Sequence, residues 1–137
     1  MKLFLDTNIL LDLLLDREPH ADAAVRILSA VEAGKATGYI AGITLPNVHY
    51  ILRDLHKRRD PRPVLESLLG FLEVVPTSKK ILQEALVSGF KDYEDGIQHA
   101  SAVAARCTHL VTRNTRDFRN SRMVVATASE MAALLRT

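Results

Sequence analysis

The sequence has little with which to cross-link itself: one cysteine, Cys107, in 137 residues. A lone thiol excludes an internal disulfide and a cysteine-built zinc cage, and it fits a reducing compartment, so a cytoplasmic location is expected. No window offers the about 18 uncharged apolar residues of a membrane span, so no membrane association is expected. The opening stretch MKLFLDTNILLDLLLD is interrupted by Asp6 and Asp12 and is followed by no small-residue cleavage site. It reads as part of the folded domain, not as a secretory signal. Internal repeats and low-complexity tracts are absent. So are the P-loop, Gly-x-Gly-x-x-Gly, Gly-x-Ser-x-Gly and His-Glu-x-x-His patterns, which excludes P-loop nucleotide hydrolysis, dinucleotide chemistry, serine esterase activity and that metalloprotease arrangement.

What remains is an ordinary globular composition, 47% hydrophobic and 25% charged. Its length suits one domain spanning residues 1–137. Eighteen Lys and Arg against sixteen Asp and Glu leave a formal charge of +2, too small to mark a nucleic-acid binder by itself. The distribution is more informative: Arg53, Lys57, Arg58, Arg59 and Arg62 fall in one short segment, and Arg113, Arg116, Arg119 and Arg122 in another.

Hydrophobic patterning predicts strands at Lys2–Leu5, Gly38–Ala41, Leu72–Val75, Leu110–Thr112 and Met123–Ala126. Helices are predicted between them, over Ile9–Leu15, His20–Ala33, Thr44 through Leu55, a short stretch ending at Leu69, Lys79–Val87, Asp95–Arg106 and Ser129–Leu135. Strands alternating with helices imply crossovers, a mainly parallel five-stranded sheet and a three-layer α/β sandwich. In such folds chemistry gathers beyond the carboxyl ends of the strands, near the point where strand order reverses.

Three acids stand at such junctions: Asp6 after the first strand, Asp95 in the first turn of a late helix, and Asp117 shortly after the fourth strand. Each has a purely local reading as well. Asp6 or Asn8 can cap the following helix, Asp92, Glu94 and Asp95 suit a helix N-terminus, and Asp117 suits a turn. If the first and fourth strands are neighbours, however, the carboxylates converge and repel one another unless a cation is present. Oxygen donors of this kind suit Mg²⁺ or Mn²⁺, which can activate water for attack on a phosphodiester. Thr112, Arg113 and Asn114 then supply hydroxyl, guanidinium and amide groups beside the acids, while Arg58, Arg59, Arg62, Arg113 and Arg116 are expected to contact the phosphodiester backbone of the substrate. The first basic segment also reads as a solvated helix end. His99, four residues after Asp95, reads as a packing residue rather than a ligand.

Leu3-Phe4-Leu5-Asp6-Thr7-Asn8, Asp92-Tyr93-Glu94-Asp95 with its small-residue helix, and Leu110-Val111-Thr112-Arg113-Asn114-Thr115-Arg116-Asp117-Phe118 resemble the successive motifs of PIN-domain ribonucleases. The resemblance implies a PIN-like α/β/α sandwich with strand order 3-2-1-4-5 and Mg²⁺- or Mn²⁺-dependent cleavage of RNA. On it, Asp6, Asp95 and Asp117 match the acidic metal-site positions, and Asn8, Thr112 and Asn114 the supporting polar ones. Family members commonly carry a glutamate on the third helix, where this chain has Asn47; Asp92, three residues before Asp95, is a candidate to compensate. The chain's size resembles that of VapC-type toxins, which implies a homodimer and a small antitoxin partner. Two other readings stay open: a catalytically weak or inactive PIN domain that binds RNA, and a receiver-like phosphotransfer domain, for which no lysine stands at the corresponding late strand end.

Overall fold

The computed structural model describes residues 1–55 and 59–135. Arg58 of the first basic segment lies outside the described residues. The strands are β1 (Lys2–Leu5), β2 (Thr37–Ala41), β3 (Leu72–Val75), β4 (His109–Val111) and β5 (Val124–Ala126). They form one sheet in the order β3-β2-β1-β4-β5, and all four pairings are parallel. The helices among the described residues are α1 (Thr7–Leu14), α2 (Ala21–Glu32), α3 (Thr44–Leu55), α4 (Arg62–Leu69), α5 (Lys79–Leu86), α6 (Tyr93–Ala104) and α7 (Ala128–Leu134). A short 3-10 turn covers Thr115–Phe118.

Alternation along the central strand sets the layers, because successive strand residues face opposite sides of a sheet. Leu3 and Leu5 join Ile9, Ile27, Val48 and Met131 in the core beneath α1, α2, α3 and α7. Phe4, on the other side, joins Ile81, Ala85, Ile97 and Ala100 from α5 and α6. Leu3, Phe4 and Leu5 are fully buried. The small residues of α6 do what their size predicts. A Cβ at Gly96 would lie 3.1 Å from Ser88 Oγ and 3.2 Å from the Ala85 carbonyl oxygen, so this glycine lets the first turn of α6 press against the end of α5.

The element boundaries differ from the sequence expectation where side chains take over from hydrophobic pattern. Helix α1 starts at Thr7, not Ile9, because Asp6 is already its extended N-cap. Helix α6 starts at Tyr93, not Asp95, because Asp92 caps it. Strand β4 ends at Val111, so Thr112 opens the following loop, although its N–H still donates to the Ala126 carbonyl at 3.0 Å. The central strand β1 has β2 on one side and β4 on the other. The chain leaves β1 toward one edge and returns at β4 on the opposite side, and this reversal opens a crevice at the carboxyl ends of β1 and β4.

Candidate active site

Asp6 sits at that crevice with only 4% of its surface exposed. Its N–H donates to the Val111 carbonyl at 3.0 Å, which carries the β1–β4 ladder one residue further. The carboxylate is held at both oxygens: Oδ1 accepts from the Asn8 N–H at 3.4 Å, and Oδ2 accepts from Thr112 Oγ1 at 2.7 Å. Thr112, fully buried, also accepts the Asn114 N–H at 3.1 Å. One hydroxyl therefore ties the end of β1 to the loop after β4. Asp6 has the capping role that chemistry assigns to its type, and a fixed place in the crevice as well.

Helix α6 is brought to the same place by Thr7. The Thr7 N–H, one of the donors left over at the start of α1, is accepted by Gln98 Oε1 at 3.0 Å in the interior. Thr7 Oγ1 donates to Glu94 Oε1 at 3.3 Å and lies 3.2 Å from Thr44 Oγ1 at the start of α3. Residues three and four apart share a helix face, so Glu94 and Gln98 turn the Asp95 side of α6 toward Asp6. Asp95 itself is partly buried, and its carboxyl is pushed up to about 7, first by burial and then by the charges of Asp6, Asp92, Asp117 and Glu94. Asp92 Oδ1 accepts the Asp95 N–H at 3.1 Å, so Asp92 holds the first turn of α6. Asp117 is exposed in the 3-10 turn, and Phe118 beside it is buried and anchors that turn.

Among the described residues no group of three His, Cys, Asp or Glu side chains is arranged to hold a metal ion on its own. A closed protein cage is not what Mg²⁺ uses: it takes one or two carboxylates and keeps several waters. Asp6, Asp92, Asp95 and Asp117 offer only oxygen donors, which fit a hydrated hard cation of this kind, while burial first and these charges second hold the Asp95 carboxyl high. Without one, their repulsion opposes folding. The native carboxyl of Asp95 titrates near 7 against 3.8 for the free group, so stability is lost as pH rises from about 4 through 7. Asp95→Asn is accordingly expected to stabilise the protein in chelator at pH 8, by about 2 kcal/mol after solvent screening. The gain should shrink steadily toward pH 4. Thermal melts of both proteins across this range test it, and a difference independent of pH would contradict it.

The arginines divide into occupied and available groups. Arg113 is paired inside the fold, its Nε 3.2 Å from Asp12 Oδ2, with Asp12 1% exposed in the last turn of α1 and 30% of the Arg113 side chain open to solvent. Arg17 approaches the same carboxylate at 3.9 Å. The Asp12–Arg113 contact is Coulombic, since neither Arg113 Nε nor Asp12 Oδ1 has an aligned hydrogen-bond partner among the described residues. Arg62 is also occupied, donating to Asp60 through Nε at 3.0 and 2.9 Å and through a terminal nitrogen at 2.7 Å. These bonds hold the Asp60 carboxyl down to about 2. Arg59 is exposed, and among the described residues no contact joins Arg59 or Arg62 to the acidic crevice. Arg116 is exposed beside Asp117.

Beside the acids is a cavity of about 540 Å³, walled by residues 88–92 and Asp95 on one side and by Arg116, Asp117, Arg119 and Asn120 on the other. Of its first wall the sequence pointed to Asp92 and Asp95 but not to residues 88–91, and it gave no sign of Thr44 or Gln98, nor of the contacts that Thr7 and Glu94 make. Asp12 did carry a signal, as a lone charge in the apolar run Ile9–Leu15. Asn47 is partly buried on α3, in the same helix as Thr44. His99 packs as expected, its ring 5.2 Å from Phe90 and its Nε2 2.9 Å from Ser121 Oγ.

Comparison with known proteins agrees with this fold. Ribonuclease VapC1 of Aquifex aeolicus (strain VF5) is 26% identical over 134 residues, which cover 94% of this chain and 92% of that protein. A toxin–antitoxin complex from Klebsiella pneumoniae contains a chain 28% identical with a TM-score of 0.68, covering 91% of this chain and 96% of that one. VapBC2 from Rickettsia felis, solved bound to a DNA fragment from its promoter, shares the fold at 22% identity and a TM-score of 0.69, covering 91% and 97% of the two chains. The PIN domain profile matches residues 2–116, from the first strand through the loop that carries Thr112 and Asn114. With the strand order, the crevice and its acids in place, the chain belongs to the PIN-domain family.

Proposed function

We propose that the protein is a divalent-cation-dependent endoribonuclease that hydrolyses phosphodiester bonds of RNA. The observation that carries the reading is the buried Asp6 carboxylate, held by Thr112 Oγ1 at the end of β1, together with Asp95 and Asp117 lining one cavity beside that crevice. The similarity to a protein named as a ribonuclease supports it. Asp6, Asp95 and Asp117, with Asp92 nearby, would hold Mg²⁺ or Mn²⁺ in part through water, and the ion would supply a polarised water and neutralise charge on the phosphate.

The chain's own residues do the rest by position. Thr112 fixes the Asp6 carboxylate and, through the Asn114 N–H, the loop that bears Asp117. Asn8 and Asn114 offer amides at the rim, and Arg116 offers a charge to the RNA backbone. Arg113, bound to Asp12, acts by anchoring the loop. No side chain is required as a nucleophile.

The protein is further proposed to be the toxin of a toxin–antitoxin pair, a homodimer acting in the cytoplasm. The toxin–antitoxin complex among its structural neighbours supports an antitoxin partner. No helix among the described residues is long and apolar enough to cross a membrane.

The test is incubation of purified protein with single-stranded and structured RNA in Mg²⁺, Mn²⁺ or chelator, with Asp6→Ala as the control for contaminating nuclease. Cleavage that requires a cation and is lost in the variant is expected. Binding without cleavage in every cation would instead identify an RNA-binding module, the reading that Asn47 in place of a glutamate favours.

A further inference from the structure

The cavity beside the acids has a composition that cleavage alone does not require. Phe90 forms an apolar wall in it, partly exposed, and the ring is braced from behind. Its centroid lies 5.4 Å from that of fully buried Phe118 and 5.2 Å from that of His99, which is itself tied to Ser121. Around this wall stand Lys91, Arg116 and Arg119, all exposed, and among the described residues none of them is in an ion pair. Arg113 and Arg62, by contrast, are committed to Asp12 and Asp60. Asp92, Asp95 and Asp117 border the same space.

An aromatic face with uncommitted cations suits one class of ligand next to a phosphodiester. A nucleobase stacks on the ring and the cations follow the backbone phosphates. Only an unpaired base can present its face, so the strand must be single-stranded here. The volume, about 540 Å³, falls within the range of sites for small organic groups. Resting on the ribonuclease reading, we propose that this cavity is a nucleotide subsite. It takes one unpaired nucleotide of the RNA adjoining the scissile bond, with the base against Phe90 and the phosphates near Lys91 and Arg119. Phe90 is then a specificity-determining residue, and bases are selected by how well they stack.

The sequence contains no tryptophan, so Phe90→Trp introduces a unique fluorophore at the wall. In an Asp6→Ala background, expected to bind without cutting, a single-stranded oligoribonucleotide is expected to quench its emission saturably, and a duplex of the same sequence is not. Phe90→Leu keeps apolar packing on Phe118 but removes the stacking face. It is expected to weaken oligoribonucleotide binding about tenfold. In the Asp6-containing protein it should also alter which bonds are cut, while thermal melts confirm that it folds. Lys91→Gln and Arg119→Gln should each lower the salt slope of binding by about one. Unquenched Phe90→Trp emission at saturating RNA, or Phe90→Leu with wild-type affinity and cleavage pattern, would overturn the subsite. Absence of cleavage by the wild type in any cation would overturn the ribonuclease reading instead, and the quenching and affinity measurements would still decide the subsite.

Discussion

Asp6→Ala is expected to lower cation-dependent RNA cleavage by at least about 10³-fold while the protein stays folded. The size follows from position. Groups that merely orient a metal-binding side chain are worth about 10–100-fold, and Thr112, which donates to Asp6 Oδ2 at 2.7 Å, is such a group. Thr112→Val should therefore fall in that lower range, and the carboxylate that Thr112 orients should exceed it. Asp6 also caps α1, a role worth about 1 kcal/mol, but its removal relieves repulsion on Asp95, so the two effects on stability offset. Single-turnover cleavage rates with parallel thermal melts check both parts. A Thr112→Val loss as large as that of Asp6→Ala would show that the hydroxyl does more than orient.

Asp12→Ala is expected to cost about 2–4 kcal/mol of stability, the largest effect of any polar substitution away from the crevice. Its carboxylate is buried in α1, and burial raises its pKa despite the nearby charges of Arg113, His20 and Arg17. Breaking such a pair from one side strands the other charge, and that is the expensive step. Arg113 softens the penalty because 30% of its side chain reaches solvent. Replacing both partners with apolar residues, Asp12→Leu with Arg113→Met, should recover much of the loss, since a buried pair is often no better than good packing. The single variant should also reduce cleavage, because Arg113 lies between Thr112 and Asn114 and its anchor holds their loop. Denaturant midpoints at constant m-value measure the stability terms. A change below about 0.5 kcal/mol for Asp12→Ala would mean the pair is a passive contact.

Most of the sheet was legible because strand periodicity is local. Leu3, Phe4 and Leu5 between a terminal Lys2 and the polar Asp6-Thr7-Asn8 mark β1, its end and the helix behind it without tertiary information. The acids were legible by the same logic, since each follows or caps an element at the carboxyl side of the sheet. The helix starts at Thr7 and Tyr93 were not, because capping by Asp6 and Asp92 adds residues whose hydropathy gives no sign of helix. The 3-10 turn at Thr115–Phe118 depends on burial of Phe118 in a core assembled from α5 and α6. Partnerships were the least legible. Arg113 and Asp12, or Thr7 and Gln98, lie far apart in the chain and meet only because β1 and β4 pair and α6 packs on the sheet beside them. That is why the motif points Arg113 at a nucleic-acid backbone and gives no sign of its pairing with Asp12.

Metal-dependent cleavage here requires that carboxylates from three separate elements act as one cation site. The most direct measurement is calorimetric titration of metal-stripped protein with Mn²⁺, without RNA, for the wild type and for Asp6→Asn, Asp95→Asn and Asp117→Asn. Saturable binding by the wild type, weakened at least about tenfold in each variant, is the predicted result. Equal Mn²⁺ affinity in all four proteins would contradict it.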